Sequence, residues 1–291
     1  MSPLRPQLRP LGASLGTEVM GAEVLGTEVL GIDLSAPIDA AALRWIETAF
    51  AEHPVLVFRD QRLSAADMLR FARQFGAPQP HILERYRHPD FAEVSYISNV
   101  GADGRIDPAG NDRATSWHAD ETYNETLPRL AMLHAIEVPS ARGGTIFADM
   151  RAAHDALPEA TRQRIAGLTG THRWLAGPAR AWTLYRKTEA EAKAHPERRH
   201  PAVLTHPVSG RPILFVNPSH STGFVGMDPE AGEALVAELS AFAVQDRFTY
   251  YHQWRVGDLL MWDELATMHR GAGDAPPQDR RVMLRTIVHP M

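Results

Sequence analysis

Short apolar segments of strand length recur along this chain, and they limit it to a fold rich in β-structure. Residues 54–58, 94–98, 130–138, 145–148, 203–206, 212–216, 250–255, 259–263 and 281–288 all read this way. Helix signals are fewer. They cover 38–51, where Leu43, Ile46 and Phe50 share a stripe, 64–75, capped by Ser64 with Asp67 three residues on, and then 150–157, 159–168 and 229–244. This distribution predicts a β-rich α+β core flanked by helices. No linker divides the chain, so residues 12–291 are expected to form one domain behind a flexible tail over 1–11. Leu15-Gly16-Thr17-Glu18-Val19 recurs as Leu25-Gly26-Thr27-Glu28-Val29; the unit is too short for a solenoid and predicts one or two edge strands. Residues 177–200 mix Pro, Arg, Lys, Glu and His without a period and are a candidate lid.

Composition narrows function by exclusion. A formal net charge of −5 over 291 residues offers no basic field for nucleic acid or a lipid surface. Cysteine is absent, which removes disulfides, thiolate metal sites and cysteine nucleophiles and fits a reducing, cytoplasmic location. No apolar run reaches membrane-spanning length, and the opening MSPLRP has no apolar core behind Arg5, so neither a span nor a secretory signal is expected.

Trp117-His118-Ala119-Asp120 then stands out, with His269 about 150 residues later. Residues two apart on a strand project from one face, so His118 and Asp120 can reach one ion without bending the backbone. Two imidazoles and one carboxylate suit Fe(II), Mn(II) or Zn(II), and with open coordination positions they are the ligand set of non-haem Fe(II) oxygenases. Arg280, Arg281 and Arg285 follow His269. Alternation puts Arg281 and Arg285 on one face and Arg280 on the other, with Arg280 the alternative for the inward place of Arg281. A planar guanidinium binds carboxylate bidentately, so the run can clamp an acidic co-substrate. His134, His154, His172, His195, His200, His206, His252 and His289 have no partner pattern and read as surface or structural residues. Asn99 and His220 read as structural hydrogen-bonders that could reach a pocket, and Trp254 and Trp262 as core. Two other classes share part of the pattern: a zinc or manganese hydrolase or isomerase, and a small-acid binding protein without turnover. Buried ligands without their cation would be costly in the second.

The chain resembles the taurine / 2,4-dichlorophenoxyacetate dioxygenase (TauD/TfdA-like) family of Fe(II)- and 2-oxoglutarate-dependent oxygenases. Ser116 to Tyr123 resembles that family's W-H-x-D-x-[ST]-[FY] strand, Gly143-Gly144-Thr145 its G-G-(D)-T segment, and Thr205 to Arg211 its T-H-P-x-[ST]-G-[RK] stretch. Trp262-Asp263-Glu264 with His269-Arg270 resembles W-D-N…H-[RY], with Glu264 at the asparagine, and Arg280 to Arg285 resembles R-R-x-M-x-R. The matches run in family order over about residues 12–289.

The resemblance implies a double-stranded β-helix (jelly-roll) core, clavaminate synthase-like, with Fe(II) held by His118, Asp120 and His269. It implies 2-oxoglutarate held by Arg281 and the Thr145 hydroxyl, with O₂ as second co-substrate and succinate and CO₂ as products. His81 and Arg285 match the substrate-anion residues, which points to a small organic anion. Ala114 and Glu84 depart from the taurine pattern, and the stretch Ile97-Ser98-Asn99-Val100 is similar to the aryloxyalkanoate branch, where hydroxylation beside an ether oxygen cleaves the ether through a hemiacetal. A sulfonate or alkyl sulfate is the alternative substrate. Family members suggest a homo-oligomer, dimer or tetramer.

Overall fold

The computed structural model describes residues 6–11, 25–101, 103–107, 110, 114–177 and 188–291. Its main sheet runs in the order β1 (Gln7–Pro10), β2 (Gly26–Leu30), β3 (Val55–Phe58), β14 (Leu259–Asp263), β6 (Leu130–Glu137), β16 (Val282–His289) and β4 (Ala77–Gln79). The strand β5 (Ser95–Ser98) also pairs with β16. All pairings are antiparallel except β2 with β3. Facing this sheet is a smaller one, β13 (Thr249–His252), β7 (Thr145–Asp149) and β15 (Thr267–Gly271), and together they make the jelly-roll core. Two further small sheets, β12 (Ser221–Phe224) with β8 (Thr169–His172) and β9 (Arg198–Pro201), and β10 (Val203–Thr205) with β11 (Pro212–Leu214), lie beyond it.

Period-two alternation decides which side chains fill which layer. Val55, Val57, Ala131, Leu133, Leu260, Trp262, Met283 and Ile287 point between the two sheets, where Phe147 and Trp254 meet them. Their neighbours Leu56, Phe58, Leu130, Met132, Leu259, Met261, Leu284 and Val288 point outward, onto α1 (Ala40–Glu52) and α2 (Ala65–Ala72). Both faces of the main sheet are therefore buried, which is why its strands read as continuous apolar runs. The outer face of the small sheet is covered in turn by α3 (Met150–Ala156), α4 (Glu159–Ile165) and α6 (Pro229–Ala243), through Met150, Ile165, Leu235 and Leu239 against Ala148 and Met268.

Local capping follows the sequence closely. Asp39 caps α1 through Ala42 N, and Ser64 with Asp67 forms a complete capping box on α2. That helix ends at Ala72, short of the expected 75, because Arg73 to Phe75 continue in tighter turns. The expected tail is corrected in part: Gln7–Pro10 is a strand, held by β2 and by the Arg9–Glu28 ion pair. The second copy of the near-repeat builds β2, an inner strand rather than an edge; residues 12–24, with the first copy, lie outside the described residues. Residues 178–187 of the candidate lid also lie outside them, and the remainder holds α5 (Glu189–Ala194) and β9.

Candidate active site

His118, Asp120 and His269 come together with one ligand atom from each, all within 4.8 Å of one another. They converge by a route the sequence pattern did not predict. His118 is not on a regular strand. It forms an isolated antiparallel bridge with His269, His118 N donating to His269 O at 3.0 Å and His269 N to His118 O at 2.7 Å. Asp120 lies two residues on in a turn, where Glu121 takes a left-handed φ of 55°. His269 sits in β15, a strand too polar to read as one. The imidazoles lie 4.3 Å apart between centroids, tilted by 49°, and Phe147 and Trp262 pack on His269.

The protonation states suit a divalent cation. His118 Nδ1 lies 2.8 Å from Ser116 O, which directs Nε2 to the site. Burial pushes both imidazoles down, His269 to about 3, so both are neutral at physiological pH. Burial alone would raise the Asp120 carboxyl, but the Arg285 guanidinium, with Nη1 3.2 Å from Asp120 Oδ2, is foremost among the charges that hold it below the usual carboxylate range. Two neutral imidazoles and one carboxylate around a common point are what Fe(II) requires.

A cavity of about 570 Å³ opens on His118 and Asp120 of this triad. At one end lie Asn99, Gly143, Gly144, Ala272 and Arg281. Asn99 fixes the Arg281 main chain, its Oδ1 accepting from Arg281 N at 2.8 Å. The Arg281 guanidinium has no carboxylate partner among the described residues, and burial lowers its pKa to about 10. Arg280, by contrast, is exposed and paired with Glu137 at 2.7 Å. Of the two arginines, the cavity therefore holds Arg281. Thr145 lies behind this wall rather than on it, its Oγ1 accepting from Trp254 Nε1 at 3.0 Å. Gly144 has no room for a side chain: a Cβ there would come within 2.3 Å of the Tyr251 ring and 2.6 Å of His252 O. The glycine thus lets the 143–145 turn close onto β13.

The other end is apolar and aromatic. Tyr86, Tyr96, Tyr123, Trp174, Leu175 and Ile287 line it. Arg285 stands between the two ends, with its Nε buried and unpartnered among the described residues. His81 lines this end, and burial and Arg285 push its pKa down to about 4. His220 lines it as well, its Nδ1 accepting from Leu175 N at 3.2 Å and its ring against Tyr123 at 5.0 Å. Trp174 and Leu175 were missed in the sequence, where an isolated aromatic residue carries no signal. Several of the remaining histidines are satisfied structurally, among them His206 on Asp263 at 2.8 Å and His252 on Asp258 at 3.1 Å.

Comparison with known proteins agrees with this geometry. The family model for taurine catabolism dioxygenase TauD, TfdA family, matches residues 7–287. The alpha-ketoglutarate-dependent 2,4-dichlorophenoxyacetate dioxygenase of Cupriavidus pinatubonensis is 38% identical, over 82% of this chain and 86% of that protein. The (S)-phenoxypropionate/alpha-ketoglutarate-dioxygenase of Delftia acidovorans is 33% identical, over 91% and 88%. The crystal structure of AAD-2 in complex with Mn(II) and N-oxalylglycine superimposes with a TM-score of 0.80 at 29% identity, covering 92% of this chain and 96% of that one. The chain belongs to the TauD/TfdA family and is an Fe(II)- and 2-oxoglutarate-dependent dioxygenase.

Proposed function

We propose that this dioxygenase hydroxylates a small aryloxyalkanoate carboxylate at the carbon between its ether oxygen and its acid group. One observation carries the reading: Arg285 lies against Asp120 at 3.2 Å on one side and opens onto an aromatic wall on the other. An acid held by Arg285 therefore sits beside the metal ligands, and its nearest carbon is the one presented for oxidation. Tyr86, Tyr123 and Trp174 take the aryl group. The two relatives are named for aryloxy acids, 2,4-dichlorophenoxyacetate and (S)-phenoxypropionate, which supports the same class.

His118, Asp120 and His269 would hold Fe(II), and Arg281 the distal carboxylate of 2-oxoglutarate, with Thr145 behind it. The bound metal, with 2-oxoglutarate and O₂, supplies the oxidising power. The protein's own part is to hold, orient and keep water out. One oxygen atom of O₂ enters the C–H bond and the other enters succinate, with CO₂ released. Hydroxylation beside the ether oxygen gives a hemiacetal, which collapses to a phenol and an α-keto acid without further redox chemistry. We place the protein in the cytoplasm as a homo-oligomer, which sedimentation equilibrium tests.

The direct test is an anaerobic titration with Fe(II) and then 2-oxoglutarate, followed in the visible, and then succinate release across a panel of aryloxy acids, sulfonates and alkyl sulfates. A charge-transfer band with phenol release from an aryloxyacetate is the expected result. Turnover of alkyl sulfates alone would move the substrate to the sulfate class. No band in folded, iron-loaded protein would sink the site assignment.

A further inference from the structure

The turn between β14 and β15 carries a buried acid that the chemistry above does not use. Glu264 is 1% exposed. Its Oε2 accepts from Asp120 N at 2.9 Å and its Oε1 from Trp262 Nε1 at 2.7 Å. The turn beneath it is well fixed: Asp263 Oδ1 accepts from Leu265 N and Ala266 N, both at 2.9 Å, and Asp263 Oδ2 meets His206. The same hairpin, one strand further, holds His118 through its two main-chain bonds to His269. One of the other two ligands is thus tied to this hairpin by its backbone, and the second, Asp120, by the side chain of Glu264.

Resting on the dioxygenase reading, we propose that Glu264 is a positioning residue, which fixes the Asp120 turn so that its carboxylate meets the metal. One feature selects an acid there, and a second shows that this turn needs restraint. Both neighbours are N–H donors, so the site needs two acceptor oxygens; a glutamine can offer one and turns its NH₂ toward the other donor. The residue after Asp120, Glu121, is held at a φ of 55°, a conformation side-chain-bearing residues avoid unless their surroundings impose it. The bond from Asp120 N to Glu264 lies one residue before that point and restrains it. Loss of a group that orients a metal ligand commonly lowers metal affinity or activity.

The test uses Mn(II) alone as the probe, titrated calorimetrically into wild-type and Glu264→Gln protein. Glu264→Gln should bind Mn(II) about 10- to 100-fold more weakly, with its far-UV spectrum intact and its turnover recovered by excess Fe(II). Equal Mn(II) affinity in the two proteins would overturn the role while leaving the metal site standing. Wild-type protein that fails to bind Mn(II) would instead overturn the dioxygenase site. Should Glu264→Gln not fold, hydrogen exchange on the wild type decides: the Asp120 amide must exchange slowly, and fast exchange there refutes the bond on which the role depends.

Discussion

The two ends of the cavity are built differently. At the metal end, His269 lies within a strand, His118 is paired to it by main-chain bonds and Arg281 is held by Asn99. At the aromatic end, Ile287 and Tyr96 still belong to strands, but Tyr86 comes from a single 3-10 turn, Glu84–Tyr86, and Trp174 and Leu175 from the turn after β8, and these three form the second set. The first set cannot move without unpairing the core. The second can be exchanged with little effect on either sheet. A reaction held constant and a substrate free to change are thus assigned to separate parts of one cavity.

Breaking the metal end should have the largest effect. His118→Ala and Asp120→Ala should abolish succinate formation and the charge-transfer band together, while the protein stays folded. Retained turnover in either would remove that residue from the ligand set. Arg281→Ala comes next. Loss of a charge-assisted bidentate contact of about 2–3 kcal/mol should raise KM for 2-oxoglutarate by roughly 30- to 150-fold. Arg280→Ala, which removes only an exposed pair with Glu137, should leave it unchanged; the reverse pattern would exchange the two arginines. At the aromatic end, Trp174→Ala should raise KM for an aryloxy acid by about tenfold, from lost aromatic packing, and leave KM for 2-oxoglutarate alone. If both constants rise together, the two ends are not independent.

A separate effect falls on stability, and it reaches beyond the cavity to His172. Burial holds His172, His220 and His269 near a pKa of about 3, against about 6.5 in an unfolded chain. The unfolded state binds more protons throughout that window, so metal-free protein should lose stability as pH falls from about 6.5 toward 3. Glu264, whose carboxyl is pushed up by burial and by Asp120, opposes this. Each imidazole contributes at most about 1.4 kcal/mol per pH unit. Urea midpoints at pH 7, 6 and 5 check it; a midpoint that does not move would mean that these rings are hydrated.

The same division explains what was legible in the sequence. Strands of the main sheet could be read because both their faces are buried, and Ser64 and Asp67 marked a helix start through chemistry internal to four residues. The triad could be read because ligand types are few and their pattern specific. What escaped notice depends on neighbours. β15 is a strand because β7 pairs with it, not because Thr267-Met268-His269-Arg270-Gly271 favours one. β8 and β12 likewise hold polar residues that only their pairing makes extended. Trp174 faces the cavity by virtue of the turn that carries it. No periodicity records that.

The position of β14 has a consequence for how the chain is made. It lies between β3 and β6, and β16 closes the other side of β6. Both follow β6 at a long distance in the chain, from Leu259 onward. Until the ribosome has released that segment, β3 and β6 cannot join and each presents an open, apolar edge. His269 is added in the same stretch, so this protein emerges with its sheet unsealed and its metal site incomplete. Its most aggregation-prone interval is therefore the one in which β3 and β6 have been made and β14 has not.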